Sequence, residues 1–336
     1  MPSPLPASRP APAVFATSEL TIRAATLADA AAIRDLVNEV DLVDAGTAGY
    51  SVEEVEADLR RGLDLTRDSW LAFLGGRLVA YAVLWPGSSG TRFDVDHYVL
   101  PRHLPVGAGL LDRLTARAAE LAGAAGSAAD LQLALTPESV LTVHALPVRG
   151  WRNVRRHHVL TRQVSLDADP APALPPGISI RAAATPDDQG VAYRLIQDTF
   201  AGHFGFEPST YPAWRQRIDA DHRDWSLCWI ASQAPAADPS ARPRDVGVCL
   251  AHNDREATGW VQNLGTLAST RGRGVGTALL RTAFAEFARR GRRVVGLGVD
   301  TGNVTNALRF YTHLGFVLQF EADTWQLIVP GELPAR

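Results

Sequence analysis

Hydrophobic and polar positions alternate in short runs along the chain, and between these runs apolar residues recur every three or four positions. The first pattern predicts strands and the second predicts amphipathic helices. The same order of elements occurs twice: strand, helix, helix, hairpin, strand, helix, strand, helix, strand. Residues 20–25 (LTIRAA) open one copy and residues 178–183 (ISIRAA) open the other, and helices are predicted next, over 29–40 and 187–200. The repeat predicts a duplicated domain.

The ends of the two copies also correspond. Gly150-Trp151 matches Gly315-Phe316, and each pair precedes a predicted strand. A proline-rich segment, 169–177, separates the copies and predicts a stiff linker. Thr26 and Thr185 are the predicted caps of the first helix in each copy. The predicted units are a disordered tail over 1–18, a first domain over 19–166, a linker over 167–177 and a second domain over 178–336.

Composition fits two ordinary globular domains and argues against several classes of protein. The 336 residues are 46% hydrophobic and contain no apolar run that could span a bilayer. A net charge of −3 argues against a nucleic-acid partner. Cys228 and Cys249 lie in apolar stretches, which indicates core thiols rather than a disulfide or a metal pair. We expect a cytoplasmic α/β protein with mixed sheets and helices on their faces, with no membrane partner and no metal, as a monomer or a homodimer.

A glycine-rich turn in the second copy is the strongest chemical signal. A strand predicted over 260–267 leads to residues 271–276 (RGRGVG), and an amphipathic helix predicted over 277–290 follows. Such a turn presents free backbone N–H groups and the positive end of the helix dipole, and glycine lets a ligand approach the backbone closely. Arg271 and Arg273 add positive charge. The pattern predicts a pyrophosphate site, and a helix start that binds no ligand is the alternative.

Three kinds of phosphate-binding turn fit this outline to different degrees. A Walker loop requires Gly-Lys-Ser/Thr, whereas Gly276 is followed by Thr277 and Ala278. A dinucleotide fingerprint belongs in the first strand–helix unit of its domain, and this turn does not lie there. Arg271, Gly274 and Gly276 match the Gln/Arg-x-x-Gly-x-Gly/Ala signature of the GNAT acetyltransferase superfamily, which the chain resembles in this segment.

The residues downstream of the turn strengthen the resemblance. A further predicted strand precedes Asn303, Ala307, Tyr311 and Gly315-Phe316, which is similar to the family's Asn-x-x-x-Ala-x-x-x-Tyr-x-x-x-Gly-Phe pattern. Spacings of four place the first three residues on one helix face. The resemblance covers residues 261–325. It implies two tandem GNAT domains, each a mixed, mostly antiparallel β-sheet flanked by helices.

The resemblance also implies roles for individual residues. Acetyl-CoA would be the cosubstrate, with its pyrophosphate on the backbone of the glycine turn and its pantetheine arm beside the preceding strand. Asn303 would orient that arm, and Tyr311 would protonate the leaving thiolate as general acid. The catalytic residues implied are Tyr311 and Asn303, and the cofactor-binding residues are Leu264, Gly265, Thr266, Leu267, Arg271, Gly272, Arg273, Gly274, Val275, Gly276, Thr277, Asn303, Ala307 and Tyr311.

The sequence does not identify the base that accepts the proton of the amine. Many relatives carry a carboxylate on the strand before the turn, but residues 260–266 contain no Asp or Glu, and Gln262 and Asn263 occupy its centre. Glu256 lies nearby in a hairpin, where a solvent-facing position is favoured. A water chain and a substrate amine of low pKa are equally good alternatives.

The first copy has lost the features of the turn. Residues 102–107 (RHLPVG) align with it, and Pro105 stands in place of the central glycine. Proline removes an N–H group from the anion site and puts a ring in the path of the phosphate. Glu138 and Leu146 fall in the places of the asparagine and the tyrosine. We predict a degenerate first domain that binds no acetyl-CoA and helps to wall the acceptor pocket.

The acceptor side is the least determined part of the sequence. An aromatic stretch, 200–208, could hold an amine substrate, although its aromatic residues could equally belong to the core. A basic run, 152–158 (RNVRRHH), lies on a predicted strand with alternate residues outward, which favours a solvent or interface face over an RNA-binding patch. The candidate substrate residues are His203, Phe204, Phe206 and Glu207.

The sequence predicts an acetyl-CoA-dependent N-acetyltransferase that acts by direct transfer on a primary amine of a small molecule or a peptide. Among two-domain members the nearest analogy is mycothiol synthase, which pairs a degenerate half with an active one, so acetylation of a cysteinyl amine is one alternative. A non-catalytic acyl-CoA-binding or sensor protein is the other. Tyr311 and Asn303 favour an enzyme, whereas the absent strand carboxylate favours a sensor.

Overall fold

The structure is a computed structural model that describes residues 19–46, 48–60, 64–87, 90–220, 224–235, 242–254, 257–302 and 307–330. The predicted tail over 1–18 lies outside these residues. Both halves contain the predicted order of elements, with bounds that differ from the predicted ones at their ends.

The first half runs from β1 to β6 and adds short 3₁₀ turns before α1, before α4 and before β6. Its elements are β1 Leu20–Arg23, α1 Ala30–Asp44, α2 Val52–Leu59, α3 Leu65–Asp68, β2 Ser69–Leu74, β3 Arg77–Pro86, β4 Arg92–Val99, α4 Leu104–Ala124, β5 Ala129–Leu135, α5 Val140–His144 and β6 Arg152–Gln163.

The second half repeats this order after the linker. Its elements are β7 Ile178–Ala182, α6 Pro186–Phe200, α7 Tyr211–Ala220, β8 Cys228–Gln233, β9 Arg244–Asn253, β10 Thr258–Thr266, α8 Val275–Arg289, β11 Val294–Asp300, α9 Ala307–His313 and β12 Val317–Val329.

Local chemistry explains where the main helices begin. Thr185 caps α6 as predicted, since its Oγ1 accepts a hydrogen bond from the Asp188 N–H at 3.2 Å. Thr26, the other predicted cap, instead starts the 3₁₀ turn ahead of α1, and its N–H donates to the Asp29 carboxylate at 2.9 Å. α8 has no side-chain cap, because it follows Gly274 in a left-handed conformation.

The described strands join into one sheet in the order β1-β2-β3-β4-β5-β12-β6-β11-β10-β9-β8-β7. The final strands of the two halves are exchanged, so that β12 lies between β5 and β6, and β6 lies between β12 and β11. Within this sheet the pairs β4–β5 and β10–β11 are parallel, and the other pairs are antiparallel. The predicted mixed, mostly antiparallel sheets are thus present and continuous with each other. The domain boundaries on either side of the linker stay a prediction.

The hydrophobic cores follow the strand exchange. Trp325 on β12 packs into the core of the first half, whereas Leu160 on β6 and Val164 just after it pack into the core of the second half. Each exchanged strand also hydrogen-bonds to a neighbour from the other half. The halves therefore cannot separate without breaking the sheet and exposing apolar surface. Exposing such surface costs roughly 25 cal/mol of free energy per Å².

The two faces of the sheet are covered differently. α4 and α8 pack on one face, against the side that carries Leu160 and Trp325. The other face carries α1 and α6 towards its two ends and leaves the middle strands open between them. Strand alternation places His157, Val159 and Thr161 of β6 on this open face. We call the open floor between the C-terminal ends of α1 and α6 the central trough.

Cys228 and Cys249 are free thiols and both are buried, as predicted. In the described ranges, no helix has the length and apolar character needed to cross a membrane. The same ranges contain no group of three or more His, Cys, Asp or Glu side chains placed to hold a metal ion.

Candidate active site

The glycine turn between β10 and α8 has the geometry of an anion site. Gly272 and Gly274 have φ of +75° and +78°, a conformation that glycine adopts without steric cost. Because Gly274 immediately precedes α8, the first amides of the helix have no intrahelical acceptor. Residues 271–274 are exposed. The turn therefore presents N–H groups and the positive end of the α8 dipole to solvent.

Two other segments border the turn. A Cβ atom at Gly274 would lie 3.3 Å from Pro175 Cγ, so the linker passes beside the turn. A Cβ atom at Gly276 would lie 3.5 Å from the ring of Phe310, so α9 borders it as well. The sequence did not predict that the linker forms part of the surroundings of this site.

The sheet opens beside the turn. β10 pairs in parallel with β11 over Thr258–Trp260, and the last partners are Trp260 and Gly296. Beyond that point β10 continues along β9 to Thr266, whereas β11 continues along β6 to Asp300. The strands diverge, so residues 261–266 face an opening instead of a neighbouring strand. Leu264, Gly265 and Thr266, three of the predicted binding residues, lie along this opening.

Tyr311 lies in α9 on the α8 side of the sheet. Its ring contacts the rings of Phe310 and Phe316, with centroids 5.2 and 5.7 Å away. Burial raises the pKa of the Tyr311 hydroxyl well above its ordinary value, and the nearby Cys249 thiol raises it further. Cys249 is the register partner of Leu264, so the tyrosine lies close to the strand that borders the opening. A partly buried phenol held in its neutral form is suited to donate a proton.

Two residues singled out in the sequence lie outside the described residues. These are Asn303, the predicted partner of the pantetheine arm, and Glu256, the nearest carboxylate before β10. Ala307 is the first residue of α9 and lies four positions before Tyr311, on the same helix face.

The C-terminal end of α6 covers the opening from the trough side. A Cβ atom at Gly265 would lie 2.8 Å from Thr199 Cβ, which is closer than such atoms pack. Glycine at 265 therefore lets α6 approach β10 at this point. His203 follows Thr199 by one helical turn, and its ring lies 4.5 Å from the ring of Phe200. The structure thus brings His203, a predicted substrate residue, to the mouth of the opening.

An arginine of β6 borders the same mouth. Arg155 contacts the Asp300 carboxylate at the end of β11, with Nε 2.9 Å from Oδ2. The Arg155 guanidinium also stacks 4.9 Å from the ring centroid of Phe204, which is 42% exposed. The basic run 152–158 lies on β6, an interior strand between the two halves, which agrees with the predicted interface face, and part of the run forms the floor of the trough beside the site.

A residue of the first half reaches the same region. The Arg92 guanidinium donates to the Gly205 carbonyl at 3.2 Å and to Gln132 Oε1 at 2.9 Å, and it lies 3.5 Å from the Glu207 carboxylate. The predicted substrate residue Glu207 is therefore held by the other half. Phe206 is partly buried and packs against the core beneath α6 and α7.

The two histidines at the mouth titrate below their ordinary range. Burial lowers the pKa of His203, while Asp300 raises it and Arg271 lowers it. Burial likewise lowers the pKa of His157, with Asp300 raising it and Arg155 lowering it. Both imidazoles are therefore neutral near pH 7, and a neutral imidazole can accept a proton.

The corresponding turn of the first half has a different geometry. Residues 101–103 form a 3₁₀ turn and α4 begins at Leu104, so Pro105 lies in the first turn of the helix. None of the described glycines with positive φ lies between 101 and 107. Gly107 instead lies inside α4, where a Cβ atom would collide with Val99 at 2.8 Å. Leu146, in the place of the tyrosine, is fully buried.

Comparison with known proteins agrees with this geometry. Residues 224–318 match the acetyltransferase (GNAT) domain family. The chain is also 30% identical over 243 residues to a mycothiol acetyltransferase of Tsukamurella paurometabola, covering 70% of this chain and 78% of that protein. The chain belongs to the GNAT acetyltransferase family. It is a GNAT-type enzyme of tandem, two-domain architecture, and the family implies an acyl-CoA cosubstrate and an amine acceptor.

Solved GNAT structures cover nearly the whole chain. A GCN5-related N-acetyltransferase from Sphaerobacter thermophilus superposes with a TM-score of 0.79 at 28% identity, covering 93% of this chain and 97% of that one. A tandem GNAT protein from the clavulanic acid biosynthesis pathway superposes with a TM-score of 0.67 at 18% identity, covering 92% and 98%. The second likeness supports the tandem fold alone.

Sequence reasoning missed Arg92 and Asp300 at the mouth of this GNAT site and gave Arg155, within the basic run, no role there. Arg92, Arg155 and Asp300 come from strands far apart in the chain, and no motif links them. Alternation could have placed Arg155 and His157 on one face of β6. It could not have shown that the strand exchange brings that face beside β11.

Proposed function

We propose that this GNAT enzyme transfers an acetyl group from acetyl-CoA directly to a primary amine of a small molecule or a peptide, in the C-terminal half. One observation carries the proposal: the left-handed turn at Gly274, the opening between β10 and β11, and the neutral Tyr311 adjoin one another. The first half has the opening between its strands but lacks the glycine turn and the tyrosine.

The residues present fit the cosubstrate. Free amides of the exposed turn and of the start of α8 suit a pyrophosphate, and Gly272, whose Cβ position has nothing within 4 Å, leaves the backbone open to close approach. The free edge of β10 over Leu264–Leu267 suits an extended pantetheine arm with its own amide groups. When bound there, acetyl-CoA supplies an activated acyl thioester.

The enzyme's own groups then transfer protons and stabilise the charge that develops during acyl transfer. A backbone N–H group of β10 at the opening stabilises negative charge on the acyl oxygen. Because its pKa is raised, Tyr311 is protonated at neutral pH, and it would give this proton to the departing sulfur. We propose that His203 accepts the proton of the amine, because it is neutral, lies at the mouth and has Asp300 near it to stabilise the imidazolium.

The name of one relative narrows the proposed class of acceptor. The Tsukamurella relative is named a mycothiol acetyltransferase, which supports a small-molecule amine, and a cysteinyl amine is one candidate within that class. The trough wall at the mouth combines Phe204 with the ion pairs of Arg92 and Arg155. Such a wall suits an acceptor with both polar and apolar parts.

A test combines acetyl-CoA with a panel of amines, including a cysteinyl amine, and measures CoA thiol release and acceptor mass. The chain contains no lysine, so acetylation of its own lysine side chains cannot contribute. Tyr311→Phe should lower kcat about 100-fold with little change in the KM for acetyl-CoA. Tyr81→Phe is the matched control, because Tyr81 is also buried with a raised pKa but lies in the first half.

Unchanged turnover in Tyr311→Phe would remove the tyrosine from the mechanism. Tight acetyl-CoA binding with no acetylation across the panel would favour the sensor alternative. For His203, the Gln variant should lose the acidic limb of the kcat/KM profile against pH, and a profile identical to that of the wild type would exclude it as the proton acceptor.

A further inference from the structure

A cavity of about 830 Å³ lies at the other end of the central trough, away from the glycine turn. Its walls come from the C-terminal end of α1, from β4 and β5, and from the floor strands β6 and β12. The starts of β10 and β11 close it on the far side. It extends along β10 as far as Trp260, and the strand runs a further six residues, about 20 Å, before it ends at Thr266.

The cavity occupies in the first half the position that the mouth of the β10–β11 opening, called the acceptor mouth below, occupies in the second half. The end of α1 borders the cavity as the end of α6 borders the mouth. The parallel pairing of β4 and β5 ends at Val95 and Leu133, and the cavity begins one residue further along, at Asp96 and Ala134. Only the position in the second half adjoins a glycine turn.

The carboxylates of the cavity wall are not balanced by arginine among the residues described in that wall. Asp41, Asp44, Asp96 and Asp254 lie in it, and no arginine among the described residues does. A described wall that carries four carboxylates and no guanidinium group attracts cations and repels anions.

Asp44 is the clearest case. Burial raises the pKa of its carboxyl, the Ser139 hydroxyl lowers it, and Glu138 raises it. Among the described residues, no arginine contributes to this balance, and the neighbouring charge that does contribute, on Glu138, is of the same sign. A carboxylate in this state gains most when a ligand supplies an ammonium group.

A second observation is independent of the acidic residues. Thr136 lies in the wall, is only 9% exposed, and its Oγ1 has no hydrogen-bond partner within the described structure. It continues the alternation of β5 on the face that carries Gln132 and Ala134. A buried hydroxyl without a partner is costly, and a polar ligand in the cavity would satisfy it.

Aromatic side chains complete the wall. Tyr98, Trp260 and Phe320 lie in it, and Trp260 covers Gly296, where a Cβ atom would collide with its ring at 2.7 Å. Aromatic faces attract cations and bury apolar carbon. The volume is in the range of pockets that hold small organic ligands.

We propose that this cavity binds an organic cation with a primary ammonium group and an apolar body. Asp44 receives the ammonium, Thr136 adds a hydrogen bond, and the aromatic wall holds the apolar part. The site is separate from the acetyl-transfer site and does not depend on the proposed function. Its position in the degenerate half suits a regulatory or accessory amine site.

The test uses 2-phenylethylamine and its neutral analogue 2-phenylethanol, titrated calorimetrically into the full chain without acetyl-CoA. We expect the amine to bind and the alcohol to bind at least tenfold more weakly. Asp44→Asn should weaken the amine about tenfold, and Thr136→Val should weaken it by a smaller factor. Asp35→Asn is the matched control, since Asp35 lies on the exposed side of α1 with its side chain 69% exposed.

Three results would overturn the proposal: no amine binding at millimolar concentration, equal binding of the alcohol, or unchanged amine binding in Asp44→Asn. The last result would place the amine at the acceptor mouth instead. Thermal unfolding of each variant confirms that it is folded, and Thr136→Val keeps the test usable if the Asp44 variant is unstable. Amine acetylation in these variants is measured separately, so a failure of the proposed enzyme activity is distinguishable.

Discussion

The contact between α6 and β10 at Gly265 determines whether the acceptor side forms. An added Cβ atom would lie 2.8 Å from Thr199 Cβ and 3.2 Å from its Cγ2. No left-handed backbone is involved, so the effect of Gly265→Ala comes from this contact and not from strain in φ. Overpacking of this kind costs about 1–3 kcal/mol of unfolding free energy. Relief requires α6 to move away from the strand, which would carry His203 away from the opening and lower kcat/KM.

Thr199→Gly removes the opposing atoms and tests the contact in a double-mutant cycle. Alone it loses the hydrogen bond from Thr199 Oγ1 to the Leu195 carbonyl, at 2.6 Å, and adds a flexible residue to the end of α6. We expect a cost of about 1 kcal/mol. The double variant should be more stable than the sum of the single effects by about 1–3 kcal/mol.

The assay is the midpoint of urea unfolding at constant slope, together with kcat/KM for the best amine of the panel. Gly298→Ala on β11 is the control for stability, because its Cβ atom would have nothing within 4 Å. Its unfolding free energy should change by less than about 0.5 kcal/mol. Additive effects of Gly265→Ala and Thr199→Gly would refute the apposition of α6 and β10 on which the acceptor site depends.

Other predictions concern stability and pH. Burial lowers the pKa of His97 to about 4, below its unfolded value, so its contribution is present above pH 6.5 and is lost as pH falls towards 4. His97→Gln should remove most of this pH dependence, which amounts to up to about 3 kcal/mol of unfolding free energy across that window. Arg23 lowers the pKa of Asp29 to about 2, so Asp29→Asn should remove stability at neutral pH but change little below pH 2. Asp68→Ala, which leaves the buried Arg117 guanidinium without this partner, should cost about 3 kcal/mol by the same measurement, and an effect as small as that of a surface ion pair would contradict the reasoning.

Local pattern predicted the elements well, because each depends on neighbours in sequence. Strands with alternating residues and helices with apolar faces appear where predicted, and the glycine turn precedes α8 as expected. The helix starts at Val275, two residues before the predicted start, because Gly274 in a left-handed conformation ends the turn there. The sequence did not identify the base that accepts the proton of the amine, and the reason is also local: β10 carries no carboxylate.

The acceptor mouth could not be predicted, because its residues meet only in three dimensions. Arg92 and Glu207 lie 115 positions apart, and Arg155 and Asp300 lie 145 apart. Either pair would look like ordinary surface charge in a sequence. Phe206, three positions after His203, differs from it in surroundings, since it packs partly buried against the core of the second half.

The sequence by itself determined the tandem repeat, the order of elements, the glycine turn and the loss of that turn in the first half. Each of these rests on residues close together in the chain or on the same motif met twice. Only the tertiary structure decided that β6 and β12 exchange places, that the trough runs between the halves, and that His203 and Asp300 share one mouth. Strand exchange leaves every local pattern unchanged, because a strand can satisfy its hydrogen bonds and apolar side beside either half, and only the global packing selects the partner. The glycine turn identified the chemistry, and the exchanged strands made the surface on which an acceptor can bind.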